Sequence, residues 1–233
     1  MKIFERLSML LRTPTALGAL MTLGMAPLAD ATSKAPDDGF QPLFNGKNLD
    51  GWAGALDSVR VQDGTLQWKP KKSGVLYTRE QYADFIVRFE FKLPPGANNG
   101  LAIRYPGTGD AAYSGMCELQ ILDDNYEKHT RHRIDPRQAH GSAYGMAAAK
   151  RGFQLPAGEW NRQQVTVIGS TLKVELNGTT ILDTDLAPIT RTLGNKAHPG
   201  KDRKTGHFGF TGHNDPVSFR NIHIKKLPPK TAP

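Results

Sequence analysis

The sequence predicts an all-β protein, built as an antiparallel β-sandwich or jelly roll. Apolar and polar residues alternate along many short segments, which is the pattern of strands with one buried face. Turn residues separate these segments, and after residue 31 no segment sustains an apolar period of 3.6 residues over three helical turns. Many short strands with regularly spaced turn signals are typical of sandwiches and jelly rolls.

Residues that favour turns separate the predicted strands. Asn177-Gly178 gives the strongest hairpin signal, because both residue types adopt the left-handed backbone of a type I′ turn. Asp63-Gly64 predicts a second hairpin. The predicted strands are Val59–Val61, Thr65–Trp68, Phe85–Lys92, Gln163–Ile168, Thr171–Leu176, Thr180–Leu182 and Phe219–Ile224. Of two long stretches without strand character, we expect residues 124–152 to cross the functional site and residues 189–205 to form a surface excursion.

The N-terminal residues have the layout of a secretory signal peptide. Basic residues precede an apolar, small-residue run, and Ala29-Asp30-Ala31 fits a small-x-small cleavage site. The run is short for a membrane span, so we expect a periplasmic or secreted protein with no membrane attachment after cleavage. The sequence is thus divided into a signal peptide (1–31), one jelly-roll domain (39–227) and a disordered tail (228–233).

Charge and cysteine content exclude some classes of function. The formal net charge is +8, but the Lys and Arg residues are scattered and no DNA-binding or RNA-binding motif accompanies them. We therefore expect solvated basic loops and no nucleic-acid partner. Cys117 is the only cysteine, so no intrachain disulfide can form, and its position in a strand indicates a small buried hydrophobe.

The most polar strand-like region lies within residues 98–124. Glu118 and Gln120 are two residues apart, so on a strand both side chains point to one face. A carboxylate beside an amide suits sugar hydroxyls or proton transfer, and we take this face as the candidate site. Asp123 would share the face only through a bulge; alternatively, it opens a turn. Both interpretations of Asp123 are open.

Two further residues in polar or Gly-rich surroundings are candidates for the same site. Arg104 shares a strand face with Ala102, from which it could clamp a carboxylate or a carbonyl, or pair with Glu118. Tyr144 lies among glycines, where an aromatic ring can form a platform for a sugar.

His213 differs from the other histidines because it stands between two predicted strands. Asp215 either orients the His213 imidazole or makes an Asx turn before Pro216. His129-x-x-His132 has metal-like spacing only on a helix, and the flanking basic residues argue against a cation there. No metal signature is visible, and a divalent metal is left open as a cofactor.

These residues belong to a longer pattern, which resembles the 3-keto-disaccharide hydrolase domain family. The matching segments are Gly39–Trp52, Phe85–Leu93, Asn98–Arg104, Glu118–Asp123, Gly158–Asn161, Leu176–Gly178 and Gly212–Ile222. Each segment alone is weak evidence for the family, but the same segments in the same order over the whole domain are specific for it. The resemblance implies a concanavalin A-like jelly roll that acts on carbohydrates oxidised at carbon 3, with an upstream sugar 3-dehydrogenase as the source of substrate.

The chemistry of such a substrate indicates roles for the candidate residues. A 3-keto group acidifies the hydrogen at carbon 2, so a base can remove it and the glycosidic oxygen leaves by β-elimination; water then adds to the enone. We expect Glu118 and His213 to be the acid/base pair, with either residue in either role. The candidate substrate-binding residues are Arg104, Gln120, Asp123, Tyr144 and Asn99, the last standing where the family often has Ser.

Two alternatives remain. Laminarinase-type glucanases carry Glu-x-Asp-x-(x)-Glu on one strand face; here Gln120 stands at the middle acidic position and Asp123 at the last. An ordinary β-glycosidase that uses Glu118 and Asp123 is therefore the alternative among enzymes. The alternative from another class is a carbohydrate-binding module without catalysis, since this fold serves lectins as well as enzymes.

Overall fold

The computed structural model describes residues 38–228. The predicted signal peptide, and the predicted tail beyond Pro228, lie outside the described residues. The strands are β1 (Gln41–Pro42), β2 (Trp52–Gly54), β3 (Val59–Gln62), β4 (Thr65–Trp68), β5 (Ser73–Tyr82), β6 (Phe85–Lys92), β7 (Asn98–Tyr105), β8 (Cys117–Leu122), β9 (Asn161–Ile168), β10 (Thr171–Leu176), β11 (Thr179–Asp185), β12 (Gly206–His213) and β13 (Ser218–Lys226). The α-helical segments are α1 (Ala111–Ser114) and α2 (Tyr126–Thr130). Single 3-10 turns lie at Leu56–Ser58, Pro136–Gln138 and Leu193–Asn195.

The strands form two antiparallel sheets, as the alternating sequence pattern predicts. The first has the order β11-β10-β9-β6-β13-β4-β3, and β1 pairs with β13. The second has the order β2-β5-β12-β7-β8. Strands distant in sequence are therefore neighbours: β12 lies between β5 and β7, and β13 lies between β6 and β4. This all-β jelly roll confirms the predicted fold class.

The apolar core lies between the sheets. Along β6, buried residues alternate with partly exposed ones, so that Phe85, Val87, Phe89 and Phe91 all enter the core. The buried residues of the five-stranded sheet include Leu101, Ile103, Leu119, Ile121, Phe208 and Phe210. The rings of Phe210 and Phe219 join the two sheets at a centroid distance of 4.1 Å. Burial of one such side chain contributes about 1.5–3 kcal/mol to the free energy of unfolding.

The predicted hairpin at Asn177-Gly178 is confirmed. Both residues have positive φ, 49° and 85°, as a type I′ turn requires, and the turn joins β10 to β11. The tight turn fixes the register of this edge of the larger sheet, far from the polar face of β8.

Every residue of β8 is buried, although β8 is the last strand of its sheet. The long segment 124–152 covers it: Gly141 donates to the Gln120 carbonyl, and Tyr144 donates to the Glu118 carbonyl. These bonds satisfy the backbone of an otherwise open strand edge. They also place the segment beside the side chains of Glu118 and Gln120. In the part of the chain that the structure describes, no helix has the length and apolarity needed to span a membrane.

Candidate active site

Glu118 and His213 meet on the outer face of the five-stranded sheet. Glu118 lies in β8 and His213 at the end of β12, with β7 between them. The Glu118 side chain crosses β7 at Gly100, where a Cβ atom would lie 2.0 Å from Glu118 Oε1. Because Gly100 has no side chain, the carboxylate reaches over β7, and Oε1 lies 3.0 Å from His213 Nε2.

The pair lies in a polar cleft of about 400 Å³. The neighbouring strand β7 contributes Asn98 to its lining, and the segment around α1 contributes Asp110 and Tyr113. The other polar lining residues are Gln120, Tyr126, Gln138, Tyr144 and Lys196. The cleft thus holds carboxylate, imidazole, amide, phenol and ammonium groups, a combination suited to a hydroxyl-rich ligand and to proton transfer.

The surroundings of the pair favour a charged imidazole. Burial disfavours the charged form of His213, but the hydrogen bond that Nε2–H donates to Glu118 and the charges of Glu118, Asp110 and Asp215 outweigh it and raise the pKa of His213 above its usual value. The Glu118 side chain is 5% exposed and that of His213 is 38% exposed. The pair therefore combines a sheltered carboxyl group with a more exposed imidazole, and the surroundings favour the protonated form of that imidazole.

The structure places Gln120 and Tyr144 in the cleft with the pair. Gln120 Nε2 donates to the Gln138 carbonyl, and Oε1 is buried without a hydrogen-bond partner. The Tyr144 hydroxyl accepts a bond from Gln138 Nε2 at 3.1 Å. Burial raises the pKa of Tyr144, so its hydroxyl keeps its proton at neutral pH.

Asp123 does not line the cleft. Its Oδ2 accepts a hydrogen bond from Gly96 N at 2.7 Å, and its Oδ1 accepts one from Asn125 N at 3.0 Å. These contacts correspond to the turn-opening interpretation, because the carboxylate caps backbone N–H groups at the end of β8. Asp123 is therefore a turn residue in the structure and not, as the sequence also allowed, a residue of the candidate binding cleft.

Asn99 also lies away from the cleft, for a reason of strand geometry. It is fully buried, and it alternates along β7 with Asn98, which does line the cleft. Its Oδ1 accepts a hydrogen bond from Gly100 N. The sequence expectation of a substrate contact at Asn99 is corrected on this ground.

The position of Arg104 differs most from the sequence expectation. Between the pairs Gly209–Ala102 and His207–Tyr105, β7 contains one residue more than β12, and Arg104 at this bulge has φ of 48°. The bulge re-aims the side chain, which is 1% exposed.

The Arg104 guanidinium instead joins the two sheets at their end. It pairs with Asp84 at 2.9 Å and donates to the carbonyls of Ala83, Gly169 and Arg203. Arg104 therefore neither pairs with Glu118 nor lines the cleft, and its role in the structure is to hold loops together.

The remaining histidines give no metal centre in the described structure. His140 is buried, bonds to Gln163 at 2.9 Å, and has a pKa lowered by burial to about 4. His129 Nε2 lies 3.7 Å from Asp123 Oδ2, and α2 includes Lys128 beside it. Within residues 38–228, no three His, Cys, Asp or Glu side chains are grouped as metal ligands.

Sequence reasoning missed several lining residues, of which Lys196 is the most informative. The segment 189–205 was expected to be a surface excursion, but it brings Lys196 to the cleft. Leu193 N donates to Gly145 O at 2.7 Å, and the Lys196 ammonium lies 3.7 Å from the centre of the Tyr113 ring. These tethers are tertiary contacts between segments distant in sequence, and no local pattern signals them.

The sequence matches a known protein family over almost all of the described residues. The sequence model of the 3-keto-alpha-glucoside-1,2-lyase-like domain matches residues 39–225. The chain belongs to this family. The match spans the β-sandwich and includes both Glu118 and His213.

Individual relatives are similar over most of their length. The 3-keto-disaccharide hydrolase of Bacteroides thetaiotaomicron is 25% identical over 229 residues, covering 82% of this chain and 79% of its own. A crystal structure of a candidate glycosyl hydrolase from Parabacteroides distasonis has a TM-score of 0.72 and 24% identity, covering 84% of this chain and 98% of its own. A Bacillus subtilis protein with a galectin-like fold has a TM-score of 0.52 and 14% identity, covering 82% of this chain and 96% of its own. The two structures support the fold.

The family and the hydrolase relative indicate a carbohydrate-active, glycosidase-like enzyme. On this chain, the Glu118–His213 cleft brings a carboxyl group and an imidazole together.

Proposed function

We propose that this protein cleaves 3-keto-glycosides, including 3-keto-disaccharides, by elimination across carbons 1 and 2 followed by hydration. The observation that carries the proposal is the Glu118–His213 pair, with Oε1 and Nε2 3.0 Å apart in the polar cleft. The family match and the hydrolase relative support the substrate class.

The resting charge state of the pair suggests its division of labour. The raised pKa of His213 favours its protonated form, which suits a proton donor. Glu118 therefore serves as the base that removes the proton from carbon 2, and His213 as the acid. The electron pair of the broken C2–H bond is first delocalised onto the keto oxygen as an enolate, and it then forms the C1=C2 bond as the C1–O bond breaks. His213 gives its proton to the departing glycosidic oxygen.

Hydration completes the reaction with the same groups. Water adds its oxygen to carbon 1 of the enone, and a proton returns to carbon 2, so the sum of the two steps is hydrolysis. The neutral imidazole left by the first step can accept the proton of the water, and Glu118, whose carboxyl proton exchanges with water while the enone is bound, can return a solvent proton to carbon 2. Both residues recover their original state.

Asp123 gives a reason to prefer elimination to ordinary glycosidase chemistry. A retaining or inverting glycosidase uses two carboxylates on either side of the glycosidic bond. Here Asp123 accepts two backbone N–H bonds, from Gly96 and Asn125, and stands outside the cleft. The partner of Glu118 across the cleft is an imidazole.

The setting of the reaction follows from the substrate and from the N-terminal sequence. A 3-keto-glycoside is supplied by oxidation of a hydroxyl at carbon 3, so we place a sugar 3-dehydrogenase upstream. Residues 1–31 have the pattern of a signal peptide, and we propose a periplasmic or secreted enzyme.

The test compares the purified protein on a plain disaccharide and on its 3-keto form. We expect turnover of the oxidised sugar alone, lost in Glu118→Gln. Comparable turnover of both sugars would favour an ordinary β-glycosidase. Binding of either sugar without any product, even over long incubation, would favour a carbohydrate-binding module.

A further inference from the structure

We propose that Lys196 is the residue by which this cleft distinguishes an oxidised sugar from its unoxidised parent, with its ammonium group facing the keto oxygen. The inference rests on the proposed function, because it assigns the orientation of the 3-keto ring in the same cleft. It gives Lys196, from segment 189–205, a role in the cleft beside that of the acid/base pair.

One side of the cleft offers hydrogen-bond acceptors that have no donor. Gln120 Oε1 and Asn98 Oδ1 are both buried and both lack a partner among the described residues. The orientation of the Gln120 amide is fixed, since its Nε2 donates to the carbonyl of Gln138. A buried acceptor without a donor is unfavourable, so both atoms favour a ligand that donates to them.

A ketone cannot fill these positions, because its oxygen accepts hydrogen bonds and donates none. Sugar hydroxyls can donate to Gln120 and Asn98. If hydroxyls occupy these acceptors, the keto oxygen is left for lining groups that can donate to it. The Lys196 ammonium and the Tyr144 hydroxyl are among these donors, and the ammonium alone of the two carries a formal positive charge.

Lys196 is positioned by its neighbours without being neutralised by them. Two hydrogen bonds hold its backbone: Lys196 N donates to Leu193 O at 3.2 Å, and Thr192 Oγ1 donates to Lys196 O at 2.7 Å. Its ammonium lies 3.7 Å from the Tyr113 ring centre, a cation–π contact that leaves its N–H groups free. Among residues 38–228, no carboxylate forms an ion pair with it.

The charge of Lys196 matches the charge that develops in the reaction. As Glu118 removes the proton from carbon 2, negative charge moves to the keto oxygen, and a cation held beside it stabilises that charge. An unoxidised hydroxyl at carbon 3 develops no such charge. Lys196 therefore favours the oxidised substrate both in binding and in turnover.

The test uses Lys196→Met, Lys196→Arg and the control Lys204→Met, an exposed lysine of the same segment that does not line the cleft. On a 3-keto-glucoside, we expect kcat/KM to fall about 100-fold in Lys196→Met, to be partly retained in Lys196→Arg, and to be unchanged in the control. Unchanged kcat/KM in Lys196→Met would overturn the inference.

A binding measurement separates this inference from the proposed function. In a Glu118→Gln background, the dissociation constants of the 3-keto sugar and of its parent are measured by calorimetry with and without Lys196→Met. We expect about tenfold weaker binding of the keto sugar and no change for the parent. Equal weakening of both ligands would contradict the role of Lys196, even if the wild-type protein cleaves 3-keto-glycosides. A wild-type protein that cleaves none would contradict the proposed function, whatever the binding result.

Discussion

Glu118 Oε1 and His213 Nε2 lie 3.0 Å apart although 95 positions separate the two residues in sequence. The contact depends on the strand order β12-β7-β8 and on the absence of a side chain at Gly100. It places a carboxylate and an imidazole in one cleft, and the proposed chemistry depends on both.

Replacement of Glu118 by Gln should abolish most activity and leave the fold intact. Gln has nearly the same shape but cannot accept the proton from carbon 2, so we expect kcat on a 3-keto-glycoside to fall by about 100-fold to 10,000-fold. The matched control is Glu159→Gln, an exposed glutamate outside the cleft, which should leave kcat unchanged. Equal activity of the Glu118 variant and the control would exclude Glu118 as the base.

The pKa of His213 should depend on Glu118. In the wild-type protein, we expect the imidazole signals in an NMR titration to give a pKa above the ordinary value of 6.5. In Glu118→Gln the attraction to Glu118 is lost, while burial and the charges of Asp110 and Asp215 remain, so the pKa of His213 should be lower than in the wild-type protein. An unchanged pKa would mean that the pair is not electrostatically coupled.

The raised pKa of His213 also predicts how the free energy of unfolding depends on pH. Because the pKa of His213 is higher in the folded chain, the pair stabilises the fold fully below pH 6.5, and this contribution is lost as the pH rises through the raised pKa. Denaturant unfolding of the wild-type protein and of His213→Gln should therefore differ more at pH 6 than at pH 9. A constant difference would contradict the linkage.

Gly100→Ala tests the path of the Glu118 side chain. A methyl group at this position would lie 2.0 Å from Oε1, so the carboxylate must move away from His213. We expect kcat to fall about tenfold to 100-fold, since misplacement by about 1 Å can cost that much. The control is Ala53→Gly in β2, which also changes one methyl group but does so outside the cleft. Gly178→Ala would not be a suitable control, because Gly178 has a positive φ that alanine adopts only with strain. Full activity of Gly100→Ala would show that Glu118 does not need its present position.

Arg104→Met should reduce stability and spare the catalytic groups. The substitution leaves Asp84 without its cationic partner and removes the guanidinium donor from the carbonyls of Ala83, Gly169 and Arg203. We expect a loss of about 3–5 kcal/mol in the free energy of unfolding, measured with denaturant. At a temperature where the variant is folded, its KM should equal that of the wild-type protein. A raised KM with unchanged stability would restore Arg104 as a substrate-binding residue.

The strands that alternate clearly could be predicted from sequence, and the sheet order could not. Phe85–Lys92 and Thr171–Leu176 were predicted with the bounds that the structure shows, because each buries one face. β5 was missed, since Ser73–Tyr82 mixes exposed and buried residues without regular alternation. The pairing of β12 with β5 and β7 joins segments more than 100 residues apart, and local patterns carry no information about it.

In the candidate site, the sequence identified those residues whose side-chain direction follows from the alternation of a regular strand. Glu118 and Gln120 share a face because they are two residues apart in a regular strand. Arg104 was misplaced because a bulge changes the direction of its side chain, and bulges leave no reliable local signal. Lys196 was missed because only tertiary contacts bring its segment to the cleft.

Removal of the hydrogen at carbon 2 distinguishes the proposed elimination from direct hydrolysis, and deuterium incorporation reports this step. A 3-keto-disaccharide is cleaved in D₂O, and the product is analysed early by NMR beside two controls, free product without enzyme and substrate with Glu118→Gln. Elimination and hydration predict deuterium at carbon 2 of the product at a rate equal to cleavage and far above both controls. Rapid cleavage with the original hydrogen retained at carbon 2 would contradict the account.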